Sequence, residues 1–218
     1  MTKTESSNLA LSLEFYDRES QTVLNEYLKG IIPIETFLTD GKAPGNHTDY
    51  QSLIDFCKEG NLEVIAANCP RRYTRLVGKH GKDFLNQLKN TTAANLLPPL
   101  PYSGASTAYK DNFVAIMEKM GNTNPNVPTS MLDAQSLWDA TMAHSIAEGL
   151  VRGLDKIVHI TGYFHIQHRL GTVEHIERYA PGTDILTVVI LPSEQLDSLN
   201  EEQLNIGDLI ALTDINAL

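Results

Sequence analysis

Apolar positions in this chain of 218 residues fall into short unbroken runs separated by stretches with helical spacing. "NLALSLEF" at 8–15 is apolar almost throughout, as a strand covered on both faces must be. "DRESQTVLNEYLKG" then sets Val23, Leu24, Tyr27 and Leu28 at helical spacing and stops on Gly30. "TDYQSLIDFCKEG" repeats the device with Leu53, Ile54, Phe56 and Cys57, ending at Gly60, and "LEVIAAN" at 62–68 reads as a second buried strand. From Pro70 the pattern turns helical through "RRYTRLVGKHGKDFLNQL", with breaks expected at Gly78 and Gly81. Three prolines in "LLPPLPYSG" exclude helix and predict an extended loop. Two further helices, "STAYKDNFVAIMEKMG" and "MLDAQSLWDATMAHSIAEGLVRG", are expected on either side of the loop "NTNPNVPTS". The strand "KIVHITG", a short helix "GTVEHIERYA", and the strands "DILTVVILP" and "DLIALT" complete the series. Apolar strands that do not alternate, joined through helices, predict an α/β fold: a mostly parallel sheet with helices on both faces.

Composition narrows this. A chain 42% hydrophobic and 20% charged can bury one sizeable core, so a single domain over 1–218 is expected, with a C-terminal strand segment from about 193. The formal net charge of −10 comes from acids spread along the chain, and no cluster of Lys and Arg offers a surface for phosphate backbones; nucleic acid is not an expected partner. Cys57 and Cys69 have neither metal-ligand spacing nor the number for a disulfide framework. No run approaches the ~18 apolar residues of a membrane helix, and "MTKTESSN" lacks the apolar core of a signal peptide. As written, the chain is expected to stay in the compartment where it is made.

In open α/β sheets ligands collect at the carboxyl ends of the strands, and the residues there are unusually polar. Glu14 lies within the first apolar run, where a charge is costly unless paired, coordinated or at the rim. Asn68, Arg71 and Arg72 follow the second strand, the arginines at a helix start suited to carboxylate or phosphate, or else a solvated basic turn. Gly162, His165, His168 and Arg169 follow the third; either histidine suits a metal or proton transfer, and His165 stands out because other strand ends converge on it. On the long helix, Gln135, Asp139 and Met142 share a face, and Asp139 is expected to hold a buried hydrogen-bond network between helix and sheet. No nucleophile elbow, Walker loop, Gly-x-Gly-x-x-Gly turn or His-Glu-x-x-His helix is present.

Five segments in order, "LSLEFYDRESQTVLNEYLKG", "VIAANCPRRYTRLVGKHG", "LPPLPY", "AQSLWDATMAHSIAE" and "GYFHIQHRLGTVEHIERYAPG", resemble the ChaN-like haem-binding proteins, iron-regulated bacterial lipoproteins and their relatives. The resemblance implies an α/β fold related to the erythromycin-esterase and TIKI peptidase-like proteins, with paired haems held in a dimer. It also implies a strand carrying Gly-Glu-x-His ahead of Asn8. The first strand here aligns with the family's second, so the sheet is expected to lack the family's first strand, to leave edges exposed, and to self-associate.

In the wider superfamily, Gly-Glu-x-His, an acid on the next strand and a late His form one metal-binding or catalytic cluster. Glu14 and His165 match the second and third parts, and would be the catalytic or divalent-metal pair if the protein were a hydrolase. A catalytic zinc wants ~3 protein ligands, which weakens the enzyme reading. Haem asks for an axial ligand, an apolar slot and cations for its propionates. Tyr73, Tyr102, Tyr109, Tyr163 and His165 are the candidates near iron, Arg71 and Arg72 those for the propionates, and "LLPPLPY" a candidate wall. The leading expectation is a non-enzymatic protein that binds haem or another porphyrin, as a homodimer. A metal-dependent hydrolase, or a member with neither activity, is the alternative. The export of the bacterial relatives is not carried over, since it depends on an N-terminal region unmatched here.

Overall fold

A computed structural model describes residues 8–119, 121 and 128–217. Three strands, β1 (Leu9–Asp17), β2 (Glu63–Asn68) and β3 (Lys156–Ile160), form a parallel sheet in the order β2-β1-β3. The helices between them are α1 (Gln21–Leu28), α2 (Ile34–Asp40), α3 (Thr48–Glu59), α4 (Arg71–His80), α5 (Thr107–Lys119) and α6 (Thr129–Val151). After β3 come two 3₁₀ turns, Tyr163–His165 and Gln167–Arg169, and α7 (Thr172–Tyr179).

The first strand sits at the centre, so its side chains are buried both ways. Leu11 and Leu13 point to one face with Val64 and Ala66, against Leu24 and Tyr27 of α1, Phe37 of α2 and Ile54 of α3. Ala10 points to the other with Ile65 and Ala67, against Met142 of α6. This is the covered parallel sheet that unbroken apolar runs require. Each large aliphatic side chain it encloses contributes about 1.5–3 kcal/mol. A further cluster of Tyr73, Val77, Leu137 and Ala140 packs α4 onto α6.

Two expectations are corrected, and one helix is added. Gly78 does not interrupt α4, which runs to His80 and ends at Gly81, where φ is +80°; a glycine inside a helix costs about 1 kcal/mol, less than packing of this length returns. The segment 34–40, to which the apolar pattern assigned no element, is α2, held by the burial of Phe37. The last two strands do not extend the main sheet: β4 (Val188–Ser193) and β5 (Leu209–Asp214) pair in parallel as a sheet of their own. Each has the period-two alternation of a half-covered strand, with Val188, Ile190 and Leu209 outward and Val189 buried.

The outer edge of β2 is closed by a side chain. Gln21 donates from Nε2 to the Val64 carbonyl at 2.8 Å and accepts from the Ala66 N–H at 2.7 Å, and the Ser145 hydroxyl donates to the Ala67 carbonyl at 2.8 Å.

Candidate functional site

Pairing between β1 and β2 runs in register from Ala10 to Leu13 and resumes only at Asp17 opposite Asn68. Glu14 lies in this irregularity, which frees its side chain to turn toward the carboxyl end of β3. Its Oε2 accepts from the Gly162 N–H at 2.7 Å and from the Thr161 hydroxyl, and its Oε1 lies 3.6 Å from His165 Nε2. The other ring nitrogen, Nδ1, lies 2.8 Å from Asp139 Oδ1. A carboxylate only accepts, so Nδ1 carries the proton. His165 is 7% exposed and Asp139 fully buried. The Thr172 hydroxyl donates to the same Asp139 oxygen at 2.9 Å.

Burial alone would lower the His165 pKa, but the charge and hydrogen bond of Asp139, followed by the charge of Glu14, hold it above the ordinary histidine value. The two carboxylates that flank the imidazole therefore favour its charged form. Its neighbour His159, whose Nδ1 meets the Ser12 hydroxyl at 2.9 Å, is pushed by burial the other way, down to about 4, with His165 adding to the drop. His175, stacked on Tyr179, is likewise pushed by burial to about 4. Tyr109 from α5 closes the cluster. Its phenol is raised far above the usual range by burial and then by the Asp139 charge, although neither its hydroxyl nor Asp139 Oδ2 has a well-formed hydrogen bond.

The backbone admits this cluster because residue 171 is glycine. Its φ is +56°, and a Cβ there would stand 2.8 Å from the His165 carbonyl and 2.9 Å from both Asp139 Oδ1 and the Tyr109 ring.

The structure thus joins Glu14 and His165, as the strand-end argument expects, and adds Asp139. Among the described residues no group of three or more His, Cys, Asp or Glu side chains is arranged to hold a metal ion. Glu14 Oε2 is engaged by Thr161 and Gly162 and His165 Nδ1 by Asp139, so among the described residues the divalent-metal expectation finds no ligand set. His168 has separated from His165: it lies in the left-handed region at φ 56°, and ties the turn to the C-terminal strands through its N–H to the Ile206 carbonyl at 2.9 Å. Arg169 does the same by an ion pair with Asp208 at 2.7 Å.

Of the remaining candidates, Tyr73 and Tyr102 pack in the α4–α6 core and outside this cluster. Arg72 is committed to Glu19 at 2.7 Å and lies over the Tyr73 ring. Tyr73, Tyr102 and Tyr109 are 6%, 4% and 1% exposed, whereas Tyr163 is 46% exposed; only the last presents itself to a ligand without repacking. Arg71 lines a groove of about 430 Å³ between α4 and α6, with Arg75 beside it and Met131, Ala134 and Trp138 opposite. Sequence reasoning missed Arg75, Thr161, Thr172 and His159. The signal for His159 was present, as a polar residue set between the apolar Val158 and Ile160 of β3.

Comparison with known proteins agrees with this fold. A solved structure described as cofacial heme binding to ChaN of Campylobacter jejuni superposes with a TM-score of 0.65 at 17% identity, covering 93% of this chain and 72% of that one. In sequence, the chain is 25% identical over 203 residues to Protein RETICULATA-RELATED 5, chloroplastic, of Arabidopsis thaliana, covering 86% of this chain but only 26% of that protein. The chain therefore spans about a quarter of the length of that relative. The family described as haem-binding uptake, Tiki superfamily, ChaN matches residues 1–176, which contain β1 to β3, the His165 cluster and the α4–α6 groove, and the chain belongs to that family.

Proposed function

We propose that this chain binds haem at the carboxyl edge of its main sheet, using the α4–α6 groove and the turn that carries Tyr163. The observation that carries the reading is the groove itself. One wall offers two guanidinium groups, Arg71 and Arg75, suited to bidentate pairing with propionates. The facing wall sets an indole, a thioether and a methyl group beside the Gln135 amide, a mostly apolar surface against which a flat macrocycle loses little on leaving water.

The iron ligand in this reading is Tyr163, because it alone of the four candidate tyrosines reaches solvent, and tyrosinate is an established class of haem ligand. Arg71 follows β2 and Tyr163 follows β3, strands whose axes stand two spacings, about 10 Å, apart in the sheet. The Asp139–His165–Glu14 row then acts as the clamp that holds the Tyr163 turn in place. Bound haem would supply an iron centre; the chain's part is to seat it, neutralise its carboxylates and exclude water from one face.

The test is a haemin titration of the purified chain. A saturable Soret shift is expected, with affinity about tenfold weaker in Arg71→Ala/Arg75→Ala, a loss of about 1.4 kcal/mol. Loss of the tyrosinate charge-transfer band in Tyr163→Phe would identify the ligand, and a band retained in that variant would exclude Tyr163. Absorbance that only grows linearly with added haemin overturns the reading.

A further inference from the structure

A second cavity, of about 610 Å³, opens along the outer edge of β2 between α1, the end of α3 and the last turns of α6, and shares no residue with the α4–α6 groove. Its charge is opposite to that of the molecule. Arg18, Lys29, Lys58 and Arg152 line it against only Glu63 and Glu148, in a chain of formal net charge −10.

The two arginines are already spent, Arg18 on Glu148 at 3.1 Å and Arg152 on Glu63. Arg18 is also pinned by donation to the Leu97 carbonyl at 3.0 Å and to the Ser145 hydroxyl at 2.9 Å. Lys29 and Lys58 have no carboxylate partner among the described residues; the Lys58 ammonium lies 3.7 Å from the centre of the Tyr27 ring, which holds its stem in place. The cavity therefore carries two ammonium groups that no carboxylate among the described residues neutralises, one of them resting on an aromatic face that a phosphate can displace.

Two ammonium groups match a dianion. Lysine acts as a point charge with rotatable donors and suits a tetrahedral oxyanion, whereas flat carboxylate recognition favours the guanidinium fork, which is not free here. A phosphomonoester carries about −1.5 to −2 at pH 7. The rest of the lining suits an organic body of mixed polarity: the amides of Asn25, Asn61 and Asn95 beside the apolar side chains of Leu28, Leu62 and Ile65. Asn61 is held in the left-handed region at φ 52°, at the turn that delivers β2.

We propose that this cavity binds a small phosphomonoester, with the phosphate against Lys29 and Lys58 and the organic body against the amides and the apolar floor. The site is independent of the haem reading and stands or falls separately from it. The test is calorimetric titration of the full chain with AMP and with inorganic phosphate, with adenosine as the uncharged control. Saturable binding of either phosphate probe is expected, with none by adenosine. Affinity should fall between pH 7.5 and 5.5, as the phosphate regains its second proton near pH 6.

In Lys29→Met/Lys58→Met, which keeps unbranched side chains of similar length and removes both charges, binding is expected to weaken at least tenfold while the circular dichroism spectrum and the haemin response stay as in the parent. No saturable heat with either phosphate probe, equal binding by the double variant, or equal competition by citrate would each overturn the proposal.

Discussion

Asp139 and His165, from the middle of α6 and from the turn after β3, meet through a 2.8 Å hydrogen bond between two buried side chains. That contact fastens the longest helix to the carboxyl end of the sheet, and it makes an internal charge part of the fold.

Removing one partner of a buried pair costs about 3–5 kcal/mol, so Asp139→Asn is expected to destabilise the protein on that scale. The loss should depend on pH. The folded-state pKa of His165 lies above its unfolded value, so its contribution is fully present below about pH 6.5. It disappears as pH rises through the folded value. Urea unfolding of parent and variant at pH 6 and pH 9 should show the two stabilities converging at the higher pH; a constant gap would contradict the favoured charged form of His165.

His175 works in the opposite direction. It is neutral in the folded protein down to about pH 4, while in the unfolded chain it takes a proton below about 6.5. Stability therefore falls as pH drops across that window. His175→Gln is expected to flatten this acid limb, measured as the slope of unfolding free energy against pH between 6.5 and 4.

Gly171→Ala adds a methyl group among three atoms at 2.8–2.9 Å in a left-handed conformation. Overpacking costs about 1–3 kcal/mol and the backbone about 1–2 kcal/mol more. A lowered melting temperature is expected, with a change in tyrosine fluorescence as the Tyr109 ring is displaced. An unchanged melting temperature would show that the turn can relax.

Asp208 accepts from Arg169, from the Thr187 N–H and from the Thr187 hydroxyl. In Asp208→Ala, amide exchange should accelerate across β4 and β5 and remain slow in β1 and β2, as read by mass spectrometry. Uniform acceleration would mean that the two sheets unfold as one unit.

The main sheet was legible because strands covered on both faces leave unbroken apolar runs, and β1 and β2 appear within a residue or two of where "NLALSLEF" and "LEVIAAN" put them. Glu14 and His165 were legible through their strand ends, and Asp139 as a polar residue on an apolar helix face that had to find a partner. The separate pairing of β4 with β5 was not legible, since strand partners are chosen by contacts distant in sequence. That His165 stands apart from His168 was legible from the strand ends; its physical cause, a left-handed turn at His168 and Arg169, was not, because those residues carry no glycine to announce it. The burial of Tyr73 and Tyr102 against the exposure of Tyr163 depends on how α4 meets α6, which local pattern does not encode.

The amide of Gln21 imitates a peptide group, offering one donor and one acceptor at the spacing an incoming strand would use. An open edge is a template that any extended segment, including that of another copy during synthesis, can copy onto. By filling the template with one side chain, the molecule stops its sheet from growing on that side and leaves the space beyond to water and small solutes. Closure by a side chain also needs only a rotamer change to undo, so the boundary of this sheet is set by a glutamine torsion as much as by its backbone.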